Sequence, residues 1–214
     1  MAGAGRRQEP GAYGVESVSK LLGSLILSAA ALVAVAADTR PDAVVQSTVS
    51  EVLSVIKHTT DKNALRQLAE QKVLPRFDFR QMTRLAMGSI WSKANPQQQQ
   101  ALERGFRALL VNTYTKSLSL GASDAVKVDV RPVRQSSQTD VTVKTLVKDA
   151  GKPPFAIDYR MEHQPDGWKV YDVLVEGVSL VTTYRSTFSE EVQRSGIDGL
   201  IKALDAKNRT LVKS

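Results

Sequence analysis

Few side chains in this chain are of a type and spacing that could do chemistry. Its two histidines, His58 and His163, stand far apart, and neither belongs to a metal-ligand spacing such as HExxH. His58 falls at the end of a helical pattern and His163 beside a turn. No cysteine occurs, which excludes thiol catalysis and disulfides. No GxSxG, phosphate-loop or GxGxxG pattern is present. Asp158 and Asp172 lie within apolar alternating runs and suit buried acids, which serve as general bases in some cone-shaped α+β folds. The competing reading pairs them with a base such as Arg160 or Arg185. On this inventory no catalytic residue, metal ligand or cofactor is assigned, and the chain is not expected to be an enzyme.

The elements that must position these residues centre on Trp168–Phe188. Trp168, Val170, Asp172 and Leu174 alternate with Lys169, Tyr171, Val173 and Val175, which is the period of a strand. After Glu176-Gly177, the residues Val178, Val181, Tyr184, Phe188 and Val192 recur at helical spacing. Upstream, Val126–Val130, Val141–Val147 and Phe155–Met161 alternate as three further strands. Pro165-Asp166-Gly167 joins the third to the Trp168 strand as a hairpin. Before the strands come helical patterns: one opening at Pro41, one with Leu65, Leu68 and Val73, and one from Phe77 to Gly88. Asn95-Pro96 marks a further helix start, asparagine at the cap and proline at the first turn, running to about Leu120. A last helix follows Gly196. The class is α+β, with a four-stranded antiparallel sheet between helices.

Lys20 and the apolar run Leu21–Ala37, ending in Ala34-Val35-Ala36, have the form of a secretory signal cleaved after Ala36 or Ala37. The run is short and alanine-rich for a membrane anchor. Residues 1–19 read as an extension of that signal, or place the true start near Val15. The division is therefore 1–37 signal and 38–214 mature domain, with 38–120 helical, 121–178 sheet and 179–214 helical. The whole chain of 214 residues has 29 basic and 22 acidic side chains; without Arg6, Arg7, Lys20, Glu9 and Glu16 it keeps 26 and 20, a net +6. That excess favours anionic partners. The bases are scattered, so no nucleic-acid patch is expected. A cysteine-free exported chain suits a bacterial periplasm.

Four stretches resemble the MlaC family, also called the toluene-tolerance family. They are PRFDFRQMTRLAMGSIW (75–91), NPQQQQALERGFRALLVNTYTKSL (95–118), YDVLVEGVSLVTTYRSTF (171–188) and GIDGLI (196–201). The resemblance spans nearly all of the mature chain in the same order. It implies a periplasmic phospholipid carrier working between an outer-membrane lipoprotein–porin complex and an inner-membrane ABC transporter bearing an MCE-domain ring. It implies a curved sheet similar to nuclear transport factor 2 (NTF2-like), with helices around a deep apolar cavity.

The walls of such a cavity are expected from facing apolar positions. Helices give Phe79, Met82, Leu85, Phe106, Leu110 and Tyr114, and strands give Val143, Ile157, Tyr159, Val173 and Val175. Val178, Val181, Tyr184 and Phe188 close it, with Gly177 as the joint of that cover or as a fixed turn. Ordinary core packing is the alternative for each residue, and the strand pattern leaves open which face turns inward. Two other functions are weighed: a periplasmic enzyme on a similar cone fold, marked by an ordered acid–base pair, and a solute-binding or scaffolding subunit, marked by a filled interior.

Overall fold

The computed structural model describes residues 40–59, 61–121, 125–133 and 139–213. The expected signal segment, 1–37, lies outside them. Helix α1 is Pro41–His58, opened by its proline. Helix α2 is Lys62–Leu68, continued by a π-helical turn at Ala69–Val73 and a 3-10 turn at Leu74–Arg76. Helix α3 is Phe79–Met87, capped by Asp78, whose carboxylate accepts the Gln81 N–H at 2.8 Å.

A 3-10 segment, Gly88–Lys93, leads to α4, Pro96–Gly121. Its start is a reciprocal capping box: Asn95 Oδ1 accepts the Gln98 N–H at 2.8 Å, and Gln98 Oε1 accepts the Asn95 N–H at 3.0 Å. The strands are β1 Lys127–Val130, β2 Asp140–Lys148, β3 Phe155–Gln164, β4 Gly167–Val175 and β5 Val178–Ser179. Helix α5, Leu180–Lys213, is broken at Gly196, where φ is 73° and ψ 179°.

The sheet has five antiparallel strands in the order β1-β2-β3-β4-β5, one more than the alternation predicts. The extra strand follows from Glu176 and Gly177, with φ of 50° and 79°. Two successive residues at positive φ make the primed two-residue turn that closes a hairpin. Val178 therefore pairs with Val175 and Ser179 with Leu174. Val178 is a strand residue, not the first of the helical stripe, and Gly177 supplies a tight hairpin turn in place of a strand–helix joint. The Pro165-Asp166 turn stands as read, pairing Gln164 with Gly167.

A second departure sits inside β4. Arg160 pairs with Asp172 but Met161 pairs with Val170, so Tyr171 is an extra residue, a β-bulge. Simple alternation would set Val170 opposite Val173. The bulge returns both to one face, where Val170, Met161, Val141 and Val143 are buried together under Val44 and Val45 of α1. Asp172 and Tyr171 turn to the other face, where Tyr171 donates to Asp140 at 2.8 Å.

The buried apolar side chains form two clusters. The first joins α1 to the sheet. The second is made by α3, α4 and α5 around Phe106, which is fully buried and meets Tyr184 and Phe188 edge-on at 5.0 and 5.1 Å. Gly105 lets α4 and α5 approach, since a Cβ there would stand 3.2 Å from the Leu204 side chain. Phe77 packs against both clusters and forms a parallel bridge to Val170 on the open edge of β4.

Candidate functional site

Pairing places side chains on the covered face of the sheet in rows. One row is Val143, Tyr159 and Val173; the next is Thr145, Ile157, Val175 and Val178; beyond them lie Val147 and Phe155. Burial falls along the β3, β4 and β5 members of these rows, while Thr145 and Val147 on β2 stay buried like Val143. Val143 is fully enclosed, Tyr159 and Val173 are half-buried at the edge of the α1 cluster, and Val175, Phe155 and Val178 are 36%, 38% and 62% exposed. A sheet face open to water ordinarily turns polar. Here the open part is a contiguous apolar strip, which marks a surface with a partner.

The helical residues expected at the site converge on the second cluster. Met82, Phe106, Leu110, Val181 and Phe188 are buried in it, and Phe79, Leu85 and Tyr184 pack against it. Tyr114 is 37% exposed on α4, its hydroxyl beside that of Tyr184. Phe79 also lines an open cleft of about 550 Å³. The cleft is lined by the apolar Leu74, Pro75, Phe77 and Phe79, by Gln164, and by charges of both signs, Arg80, Arg107 and Lys169 with Glu70, Asp78 and Glu103. Phe77, which is not among the expected wall residues, stacks on Phe79 with ring centres 5.7 Å apart. The alternation Phe77-Asp78-Phe79, centred on the helix cap, is the signal the sequence offers.

The walls carry no charge near neutrality. Burial pushes the Tyr159 phenol up to about 12, with the Asp158 charge adding to it. Burial, then the neighbouring Tyr114, does the same for Tyr184. Both are protonated phenols near neutrality.

The residues singled out for chemistry are engaged structurally. The buried Asp172 carboxylate accepts from Ser179 Oγ at 2.7 Å and from the Val181 N–H at 3.3 Å, with Arg160 at 3.5 Å. It fastens the first turn of α5 to β4. Arg185 turns away from Asp172 and donates from Nε and a terminal nitrogen to the Leu85 carbonyl at 3.0 and 2.7 Å, holding the end of α3. His58 Nδ1 lies 2.6 Å from the Ser54 carbonyl, and His163 sets its ring edge-on to Trp168. Among the described residues no buried polar side-chain atom is without a hydrogen-bond partner.

An antiparallel sheet with α1 packed over one face and an uncharged apolar strip left open on that face has the form of a binding surface for an apolar molecule. The comparisons agree in class. A family model described as MlaC protein matches residues 46–206. The chain is 28% identical over 187 residues to the toluene tolerance protein ttg2D of Pseudomonas putida, covering 85% of each. It is 21% identical over 173 residues to the intermembrane phospholipid transport system binding protein MlaC of Haemophilus influenzae, covering 77% of this chain and 80% of that one. A solved phospholipid-binding protein from Ralstonia solanacearum, in complex with a phospholipid, superposes with a TM-score of 0.74 at 38% identity, over 81% of this chain and 99% of that one. The chain belongs to the MlaC family.

Proposed function

We propose that this chain is a phospholipid carrier of the periplasm, moving lipid between an outer-membrane lipoprotein–porin complex and an inner-membrane MCE-domain ABC transporter. The observation that carries the reading is the divided apolar interior, two clusters joined through Phe77, with an open apolar strip at Ile157, Val175 and Val178. In this reading the fold is an NTF2-like cone, and the acyl chains enter between the clusters to make the deep cavity. Family membership and the phospholipid complex of the Ralstonia relative support it.

The energetics explain the need for such a protein. A sixteen-carbon chain at about 0.8 kcal/mol per CH₂ is held in a bilayer by on the order of 12 kcal/mol. Apolar walls replace the bilayer and cancel most of that cost without any catalytic group. Native mass spectrometry of gently purified protein is expected to show the chain mass plus that of a phospholipid. Protein that remains free of lipid after incubation with phospholipid vesicles overturns the reading.

The periplasmic assignment rests on Leu21–Ala37 acting as a cleaved signal, and no described helix is long and apolar enough to cross a membrane. N-terminal sequencing of protein from the periplasmic fraction is expected to begin at Ala37 or Asp38. An intact N-terminus retained with the membranes would falsify the assignment.

A further inference from the structure

We propose that Tyr159 is a specificity-determining residue of the carrier, the stop that limits the acyl chains it takes to about the depth of one bilayer leaflet. The proposal rests on the carrier reading and adds what that reading leaves open, the length of chain.

The register of the sheet lays out a path and its end. The outermost row is Val147 and Phe155, the next holds Ile157, Val175 and Val178, and the third is Val143, Tyr159 and Val173. The fourth row, Val141, Met161 and Val170, is closed under Val44 and Val45. Exposure along β3 follows that order: Phe155 is 38% exposed, Ile157 and Tyr159 are half-buried, and Met161 is fully buried. Tyr159 is the bulkiest member of the row where the open strip meets the closed cluster.

Length decides what fits before that boundary. The strand from Phe155 to Tyr159 advances about 14 Å. A bilayer hydrocarbon core roughly 30 Å thick is two chains deep, so one chain reaches about 15 Å. The strip thus matches a single chain, whose terminal methyl arrives at the Tyr159 ring.

The tip of that ring makes the stop selective. Thr145, the polar member of the second row, gives its hydroxyl to the Ile157 carbonyl. The Tyr159 hydroxyl makes no hydrogen bond among the described residues, where every buried polar side-chain atom has a partner, so it is a group that water reaches. The phenol is uncharged near neutrality, pushed up to about 12 by burial and then by the Asp158 charge. A chain running past it must strip that water and leave the hydroxyl unpaired against methylenes, which is unfavourable. A shorter chain leaves it hydrated.

The test loads purified mature protein from vesicles holding equal amounts of phosphatidylglycerol with fourteen-, sixteen- or twenty-carbon chains, and native mass spectrometry reads what is captured. Wild-type protein is expected to favour sixteen carbons over twenty at least about fourfold, the effect of one methylene left in water. Tyr159→Leu should bring that ratio close to one. Tyr159→Phe, which keeps the ring and removes the hydroxyl, should lower it at least about twofold, because the desolvation cost goes while the bulk stays. Tyr159→Trp, with the larger ring, should raise the ratio of fourteen- to sixteen-carbon lipid by a similar factor. Thermal melts identify the folded variants, and Tyr159→Phe, the smallest change, keeps the test decisive if a bulkier change unfolds the protein. A wild-type ratio of one, or a wild-type ratio retained in any folded variant, overturns the stop while the carrier reading stands. Wild-type protein that captures none of the three lipids overturns both.

Discussion

Replacing Asp172 by alanine should lower the stability of the fold by about 3 kcal/mol, because hydrogen bonds to a buried charged acceptor are worth about 1.5–3 kcal/mol each. Asp172 is 2% exposed and its carboxylate holds three groups: the Ser179 hydroxyl, the Val181 N–H and Arg160. Arg160 matters least, because it is 45% exposed and a pair so screened contributes little. The Val181 N–H matters most. It is an unpaired donor of the first turn of α5, and Val181 itself is 3% exposed, so water cannot take the place of the carboxylate. Negative charge beside a helix start is favourable in its own right. Asp172→Asn, which keeps the shape and one acceptor, should lose less than half as much. Urea unfolding of the two variants measures the difference. A loss below about 1 kcal/mol for alanine would mean that the clasp is not what joins α5 to the sheet.

That clasp was half legible. An acid at position 172 in an apolar strand announces burial with a partner, and Arg160 was among the partners named. The principal partners were not readable, because Ser179 and Val181 reach Asp172 only through the β4–β5 hairpin. A two-residue strand carries too little pattern to detect, and its sole local signal is Glu176-Gly177, which reads equally as a break. The bulge at Tyr171 left more of a trace. Apolar residues at 168, 170, 173 and 175 skip one step between Val170 and Val173, which is what an inserted residue produces. Strict alternation over the whole strand hides that skip and puts Val170 on the wrong face. The helices were legible because their signals are local: Pro41 at a first turn, the Asp78 cap, the Asn95–Gln98 box and the break at Gly196. The split of the interior into two clusters is a tertiary property. Met82 and Val143 carry the same hydrophobic pattern, and nothing local assigns them to different sides of Phe77.

Burial along the sheet face now decides where a bulky probe is informative. Tryptophan at Val143 would enter a position with no exposure, between Val141, Met161 and Val170, and such overpacking costs about 1–3 kcal/mol whether or not lipid binds nearby. Val175 is different. It is 36% exposed, next to Ile157 across β3 and Val178 across the hairpin, so a larger ring has room and strain is small. Val175→Trp should therefore leave the melting temperature within about 2 °C of wild type, since exposed substitutions fall within about 0.5 kcal/mol. The same ring would lie across the open apolar strip and occupy volume that the proposed carrier needs for an acyl chain. The retained phospholipid, read by native mass spectrometry, should fall at least about tenfold, the result of losing about 1.4 kcal/mol of binding. Val212→Trp supplies the control, because Val212 is 65% exposed near the end of α5 and lies on neither sheet row. It should change neither stability nor lipid content. A Val175→Trp protein that melts normally and carries its full complement of phospholipid would place the chains elsewhere. The strip at Ile157, Val175 and Val178 would then be a surface for a macromolecular partner.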